Sequence, residues 1–312
     1  MISALLISVT VAGDSGVCQV PINSQCPSLV TMAKQDPHIS FAHGGSADFH
    51  GDNETFYAIL SAPGVNFAAF TQDSKFMLPR LRPQLVYGSF FTKVSLVLRG
   101  HSMKIYGISS DSNVVGFDVF DLGKLPNSDI MKLNTSKRSV WSEWWHDGIR
   151  VLYKQSTIFA RANGWEVNCT RKPIFNQLSG SSKWHFDISM RILDGRTGFE
   201  SSHGLASKTC FPHGLIGQSY DMDDIAVDGN KDDYTYDATR PVVTTRAQAE
   251  GAIEGVASDY RLRSQFEVEF VFGRFNRTDS DRCAARDVAS LTGRKRHRTA
   301  LLYAGSSGLP PP

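Results

Sequence analysis

Between about Phe41 and Arg274 the chain is divided into short runs of β-branched, aromatic and aliphatic residues, each closed by Gly, Pro, Asn or Asp. No other feature restricts the fold as tightly. TFYAILSA, VNFAAFT, QLVYGSFFTKVSLVLR, VVGFDVFDL and KWHFDISMRIL are examples. Within Lys93–Arg99, Val94, Leu96 and Leu98 fall on one face and Ser95, Val97 and Arg99 on the other, which is the period of a strand. Asp147-Gly148, Asp194-Gly195 and Asp228-Gly229 supply turn signals between runs. This spacing predicts an all-β fold, a large antiparallel β-sandwich or roll. Helical patterning enters only late. Thr245 and Gln248 have the spacing of a capping box ahead of AQAEGAIEGVASDY, and Asp281–Leu291 stops before Gly293. One or two short helices near the C-terminus are therefore expected.

A length of 312 residues admits one large β domain or two smaller ones, and 41% hydrophobic residues suffice for a sizeable core. Lys and Arg number 33 against 31 Asp and Glu, so the chain lacks the basic excess of a dedicated nucleic-acid binder. No run of about 18 apolar residues predicts a membrane span. Residues 35–276 are expected to form the β domain, with residues 277–312 a short helix and a basic, solvated tail around Arg294–Arg298.

Residues 1–34 are read as a signal peptide and a small Cys loop. Met1–Gly13 is apolar apart from Ser3, Ser8 and Thr10 but lacks a basic start, so a signal peptide and a first β-strand both remain open. Four triplets, beginning at Asn53, Asn134, Asn168 and Asn276, fit the N-glycosylation acceptor. Cys18 and Cys26 lie close enough for a small disulfide loop in an oxidising compartment, and Cys169 with Cys210 is the second pair expected. Free buried thiols in a cytosolic protein are the alternative. Five Cys leave at least one unpaired.

The familiar catalytic signatures are missing: no GxxxxGK[ST], GxGxxG, GxSxG, HExxH or CxxC occurs. No catalytic residue is assigned, although a hydrolase built from scattered carboxylates stays open. Four motifs carry more information. They are Asp36-Pro37-His38-Ile39 followed by GGSADFHG (Gly44–Gly51), HGLIGQ (His213–Gln218), VDGNKDDY (Val227–Tyr234) and EGAIEGVASDYRL (Glu250–Leu262).

In this order they resemble the von Willebrand factor type D domain, whose first strands carry a DPH–F–DG–DF–G pattern. The match is closest to the divergent version at the C-terminus of inter-alpha-trypsin inhibitor heavy chains. There an HGLLGQ segment precedes an acidic stretch ending in DY. The resemblance covers Gln35 to Arg274 and implies an all-β, extracellular, non-enzymatic module that works through protein or matrix contacts. The chain departs from the pattern in lacking most of the family's Cys framework and its CGLCGN segment. Disulfide-driven multimerisation is therefore not implied, and stability must come from packing.

Residues Asp221 to Asp233 read DMDDIAVDGNKDD, dense in the hard oxygen donors that Ca2+ prefers. The loop is not an EF-hand, because Asp233 stands at position 6 and Thr239 at position 12. The type D resemblance implies a calcium loop here, with Asp228, Asn230, Asp232 and Asp233 as ligands and Asp221 or Asp223 joining. An acidic surface loop without metal is the alternative. His38, His43 and His50 match no compact zinc spacing, and His38 in the DPH turn is expected to be a hydrogen-bonded structural residue. Trp141, Trp144 and Trp145 form the densest aromatic patch. Core packing is expected for all three. The alternative follows from strand geometry, which sends Trp144 and Trp145 to opposite faces, leaving one of them for a sugar ring or partner.

The leading expectation is a non-enzymatic extracellular or cell-surface interaction module contacting proteins or glycans, with Ca2+ as the candidate cofactor. The alternatives are a hydrolase using the acidic loop and an intracellular β-sandwich scaffold.

Overall fold

The computed structural model describes residues 30–78, 83–124, 129–134, 141–193, 212–220, 225–237, 239 and 241–277, with only the backbone described for 129–134. In chain order the strands are β1 (Val30–Lys34), β2 (His38–Ser40), β3 (Ser46–Asp48), β4 (Thr55–Ala62), β5 (Val65–Leu78), β6 (Gln84–Arg99), β7 (Ile105–Asp111) and β8 (Gly116–Asp121). There follow β9 (Asp129–Asn134), β10 (Trp141–His146), β11 (Ile149–Lys154), β12 (Thr157–Ala162), β13 (Trp165–Pro173), β14 (Gln177–Gly180), β15 (Trp184–Ile192), β16 (Val242–Thr244) and β17 (Arg261–Leu262).

They form two sheets. One runs β10-β11-β12-β13-β15-β1-β2-β3, and the other runs β17-β4-β5-β6-β7-β8-β9 with β14 added to β5 and β16 to β6. All pairings are antiparallel except β16 on β6. The expected all-β architecture is present. Hairpins close on Asp147-Gly148 and Asn163-Gly164 with positive φ at all four residues, as tight two-residue β-turns require. Val30–Lys34, ahead of the boundary drawn at residue 35, is part of the sheet, because β1 is sandwiched between β15 and β2.

The alternation read in β6 holds. Val94, Leu96 and Leu98 join one core cluster with Phe67 from their own sheet and Trp165, Val167 and Ile188 from the other. The opposite face is also buried: Ser95 and Val97 are 1% and 2% exposed. The last described segment covers it, with Ser95 donating to the Gln265 carbonyl at 2.5 Å and Asn66 to the Glu267 carbonyl at 3.1 Å. Small residues make room there. Ala58, Ala68 and Leu262 form a separate cluster with Phe56 and Phe270.

The expected helix after Thr245 does not form. Thr245 hydroxyl lies 2.6 Å from His50 Nδ1, so the group meant to cap a helix is spent on a distant partner. Gly251 and Gly255 further weaken helical propensity, and only one 3-10 turn, Ala257–Tyr260, appears in that stretch. The second candidate, 281–291, lies outside the described residues.

Candidate functional site

The four motifs meet in two places. In the first, β2 and β3 pair His38 with Asp48, so that His38 Nδ1 and Asp48 Oδ1 lie 2.7 Å apart. This bond raises the His38 pKa. Burial alone would raise that of Asp48, but the His38 bond and the Asp232 amide hold it below the ordinary carboxylate value. The structural role expected for His38 is observed. Asp36 is buried at the β1–β2 turn. One of its oxygens accepts the Ser89 amide at 3.0 Å and the other the Tyr234 hydroxyl at 2.8 Å. Burial nevertheless dominates and pushes its pKa up to about 7.

The acidic segment crosses this region as a strap. Asp228 Oδ1 accepts the Ser46 amide at 2.8 Å and its hydroxyl at 3.0 Å. The Asn230 carbonyl accepts from Asp48 N, while the Asn230 amide donates to the Glu250 carbonyl. Asp232 Oδ1 accepts the Arg246 and Ala247 amides at 2.7 and 3.2 Å. Asp233 Oδ1 accepts the Thr235 amide at 2.8 Å. These four expected ligands are thus neighbours in sequence whose oxygens serve separate backbone donors. Among the described residues no group of three or more His, Cys, Asp or Glu converges as a metal site requires. Asp221 and Asp223 lie outside the described residues.

In the second place, HGLIGQ passes beside β4 and meets the Glu250–Leu262 motif. His213 stacks on Phe272 with ring centroids 4.4 Å apart, and its Nε2 lies 3.2 Å from Glu254 Oε2. Gln218 accepts the Glu254 amide and donates to Tyr260 hydroxyl at 3.0 Å; that hydroxyl donates to the Glu254 carbonyl at 2.7 Å. A buried amide satisfied on both sides fixes two chain segments about 40 residues apart. This is structural cement.

Next to the first meeting place opens a cleft of about 600 Å³. Its apolar lining includes Phe76, Leu78, Phe90, Ile174 and Phe175, and its polar lining Asp36, His38, Lys172, His185, Asp187 and Tyr234. Asp187 Oδ1 accepts the Gln35 amide at 3.0 Å and lies 3.2 Å from His185 Nε2. Burial works against its charge, but these hydrogen bonds keep its pKa below the usual value. His185 is packed against Phe90, and its Nδ1 is buried with no hydrogen-bond partner. A titratable pair in a cleft is a recognised sign of a functional site. Lys172, His185 and Asp187 were not singled out in the sequence. The spacing of His185 and Asp187 in KWHFDI, which puts both on one face of β15, was the available signal.

At the far end of the same sheet, Trp144 is 8% exposed, while Trp141 and Trp145 are 55% and 70% exposed. Core packing of all three is corrected: the side chains of an edge strand face the core only on alternate residues. Trp144 packs edge-on to Tyr106. Trp145 pairs across the ladder with Arg150, Arg150 with Arg161, and Trp141 with Lys154. Arg150, Leu152, Lys154, Phe159 and Arg161 line a shallow hollow beside it.

Of the glycosylation candidates, Asn53 and Asn276 are exposed. Asn168 sits mid-strand in β13, half-buried, with Nδ2 3.4 Å from Ser189 Oγ. Asn134 has only its backbone described. Cys169 is a free thiol buried in the core, where burial raises its pKa strongly. Its strand points it between the sheets, among Ile188 and Val167. Cys18, Cys26 and Cys210 lie outside the described residues.

One arrangement resembles a hydrolytic relay. His50 Nδ1 lies 2.6 Å from Thr245 hydroxyl and its Nε2 3.5 Å from Asp73 Oδ1. Thr245 is only 2% exposed and its hydroxyl also donates to the Tyr87 carbonyl at 3.3 Å, so it is not presented to a substrate. No family model matches the chain, and a search of curated proteins finds no match either.

Proposed function

We propose that this chain is a non-catalytic β-rich interaction module of the von Willebrand factor type D kind, acting outside the cell and docking an anionic glycan or protein partner on its Trp145 face. The observation that carries the reading is the pairing of the exposed indoles of Trp145 and Trp141 with Arg150 and Lys154. Solvent-facing aromatic and Arg side chains together are the composition of binding hot spots. Arg150 and Arg161 are held by Glu143 and Glu166 at 2.5 and 2.6 Å, which limits the freedom of their side chains on this face. The polar residues of the four motifs support the same reading, since their hydrogen bonds hold segments of this fold together.

The test is retention of the purified chain on immobilised heparin and on an uncharged polysaccharide. The intact chain is expected to bind heparin and elute with salt, and Trp145→Ala combined with Trp141→Ala to flow through with an unchanged melting curve. Equal retention of both proteins overturns the assignment of this face. Mass spectrometry of secreted protein checks the extracellular part, with glycans expected at Asn53 and Asn276.

A further inference from the structure

We propose that the cleft beside the β1–β2 turn is a binding site for an alkylammonium group carried on an apolar stem, the chemistry shared by a lysine side chain and a free amine. It is separate from the Trp145 face and does not depend on that reading.

Three features of the cleft specify this class. The first is shape and lining. A space of about 600 Å³ walled by Phe76, Leu78, Phe90, Ile174 and the exposed Phe175 accepts an extended apolar chain. The rings of Phe76 and Phe90 meet at 5.3 Å and those of His38 and Tyr234 at 5.8 Å, giving aromatic surface among both the apolar and the polar lining residues. Aromatic faces attract ammonium ions as well as methylenes.

The second is charge. Among the lining residues Asp36 and Asp187 carry carboxyl groups, and Lys172 is the one fixed cation. His38 is hydrogen-bonded to Asp48 at 2.7 Å, so any positive charge it carries is offset there. Asp187 has one oxygen committed to Gln35 and His185, which leaves lone pairs for a ligand. Asp36 has both oxygens committed to Ser89 and Tyr234 and burial raises its pKa, so Asp187 is the carboxylate that attracts an incoming ammonium and repels an incoming carboxylate.

The third is an unmet hydrogen bond. His185 is 5% exposed at its side chain, and its Nε2 engages Asp187. With the proton on Nε2, Nδ1 is a buried acceptor for which the protein supplies no donor. An ammonium brings N–H donors to this wall; a carboxylate brings none.

The experiment titrates the full chain by calorimetry with hexylamine, hexanoate and hexanol, which share a stem and differ in head group. Hexylamine is expected to bind about tenfold more tightly than hexanoate or hexanol, a difference of about 1.4 kcal/mol. Asp187→Asn keeps an acceptor oxygen for Gln35 and His185 and is expected to erase the preference. Lys172→Ala alters an exposed side chain, so folding is not at issue, and it is expected to tighten hexylamine binding. An acetylated and amidated Gly-Lys-Gly peptide separates the sources: binding with hexylamine assigns a lysine side chain, and hexylamine alone assigns a free amine. Hexanoate binding as tightly as hexylamine, no binding by any probe, or weaker hexylamine binding in Lys172→Ala overturns the proposal.

Discussion

The eight-stranded sheet ends in two edge strands that the chain treats in opposite ways. At one end β3 is three residues long, and the returning segment covers it: Gly229 donates to the Ser46 carbonyl, Asn230 accepts from Asp48 N, and Ala249 donates to the Asp48 carbonyl. At the other end β10 is six residues long, terminal in the sheet, and turns Trp141 and Trp145 outward. An edge strand must be covered, shortened or decorated to prevent unwanted pairing. The β3 end uses a strap whose carboxylates act as backbone acceptors. The β10 end uses bulky and charged side chains. Acidic density in sequence is thus a joint at one end, and aromatic density is a surface at the other.

The comparison breaks most readily at the strap. A Cβ at Gly45 would stand 2.0 Å from the Val227 carbonyl oxygen, which is backbone and cannot swing aside. Gly45→Ala is expected to cost more than about 3 kcal/mol in urea unfolding; a loss below about 1 kcal/mol would show the strap to be dispensable.

Asp36 gives the next effect. Its folded pKa of about 7 exceeds the ordinary aspartate value of 3.8, so the folded state holds the proton more tightly. Its contribution is fully present below about pH 4 and is lost as pH rises through 7, by a few kcal/mol at most. Melting curves of Asp36→Asn from pH 5 to 8 are expected to decline less with pH than those of the parent. Parallel curves would contradict the assignment.

Asp232→Ala removes the acceptor for two amides and is expected to cost about 1–3 kcal/mol. Calcium sharpens this point. With Asp228 and Asp232 serving backbone donors, a calcium-induced rise in melting temperature that survives Asp228→Ala would place the ion on other residues, Asp221 and Asp223 among them. The smallest effect on stability belongs to the β10 end. Trp145→Ala is expected to shift unfolding by no more than about 0.5 kcal/mol while heparin retention falls. A large destabilisation would make Trp145 a packing residue.

Much of the scaffold was legible beforehand. The faces of β6 and the opposite directions of Trp144 and Trp145 follow from a two-residue period, which neighbouring residues encode. The His38 bond was anticipated without its partner. The cleft was not, because Asp36 and Tyr234 are 198 positions apart and His185 reaches it from a third strand. The helix after Thr245 failed for the same reason, since a cap signal is local and the hydroxyl's actual partner, His50, is 195 residues away.

By itself, then, the amino-acid order determined the strands, their alternating faces and the all-β class, because these depend on backbone geometry between near neighbours. Tertiary structure alone decided that the acidic loop is a strap, that the second face of β6 is covered, and that a buried carboxyl, a phenol and an imidazole share one cleft. Those outcomes depend on hydrogen bonds and burial between segments that meet only when both sheets have formed.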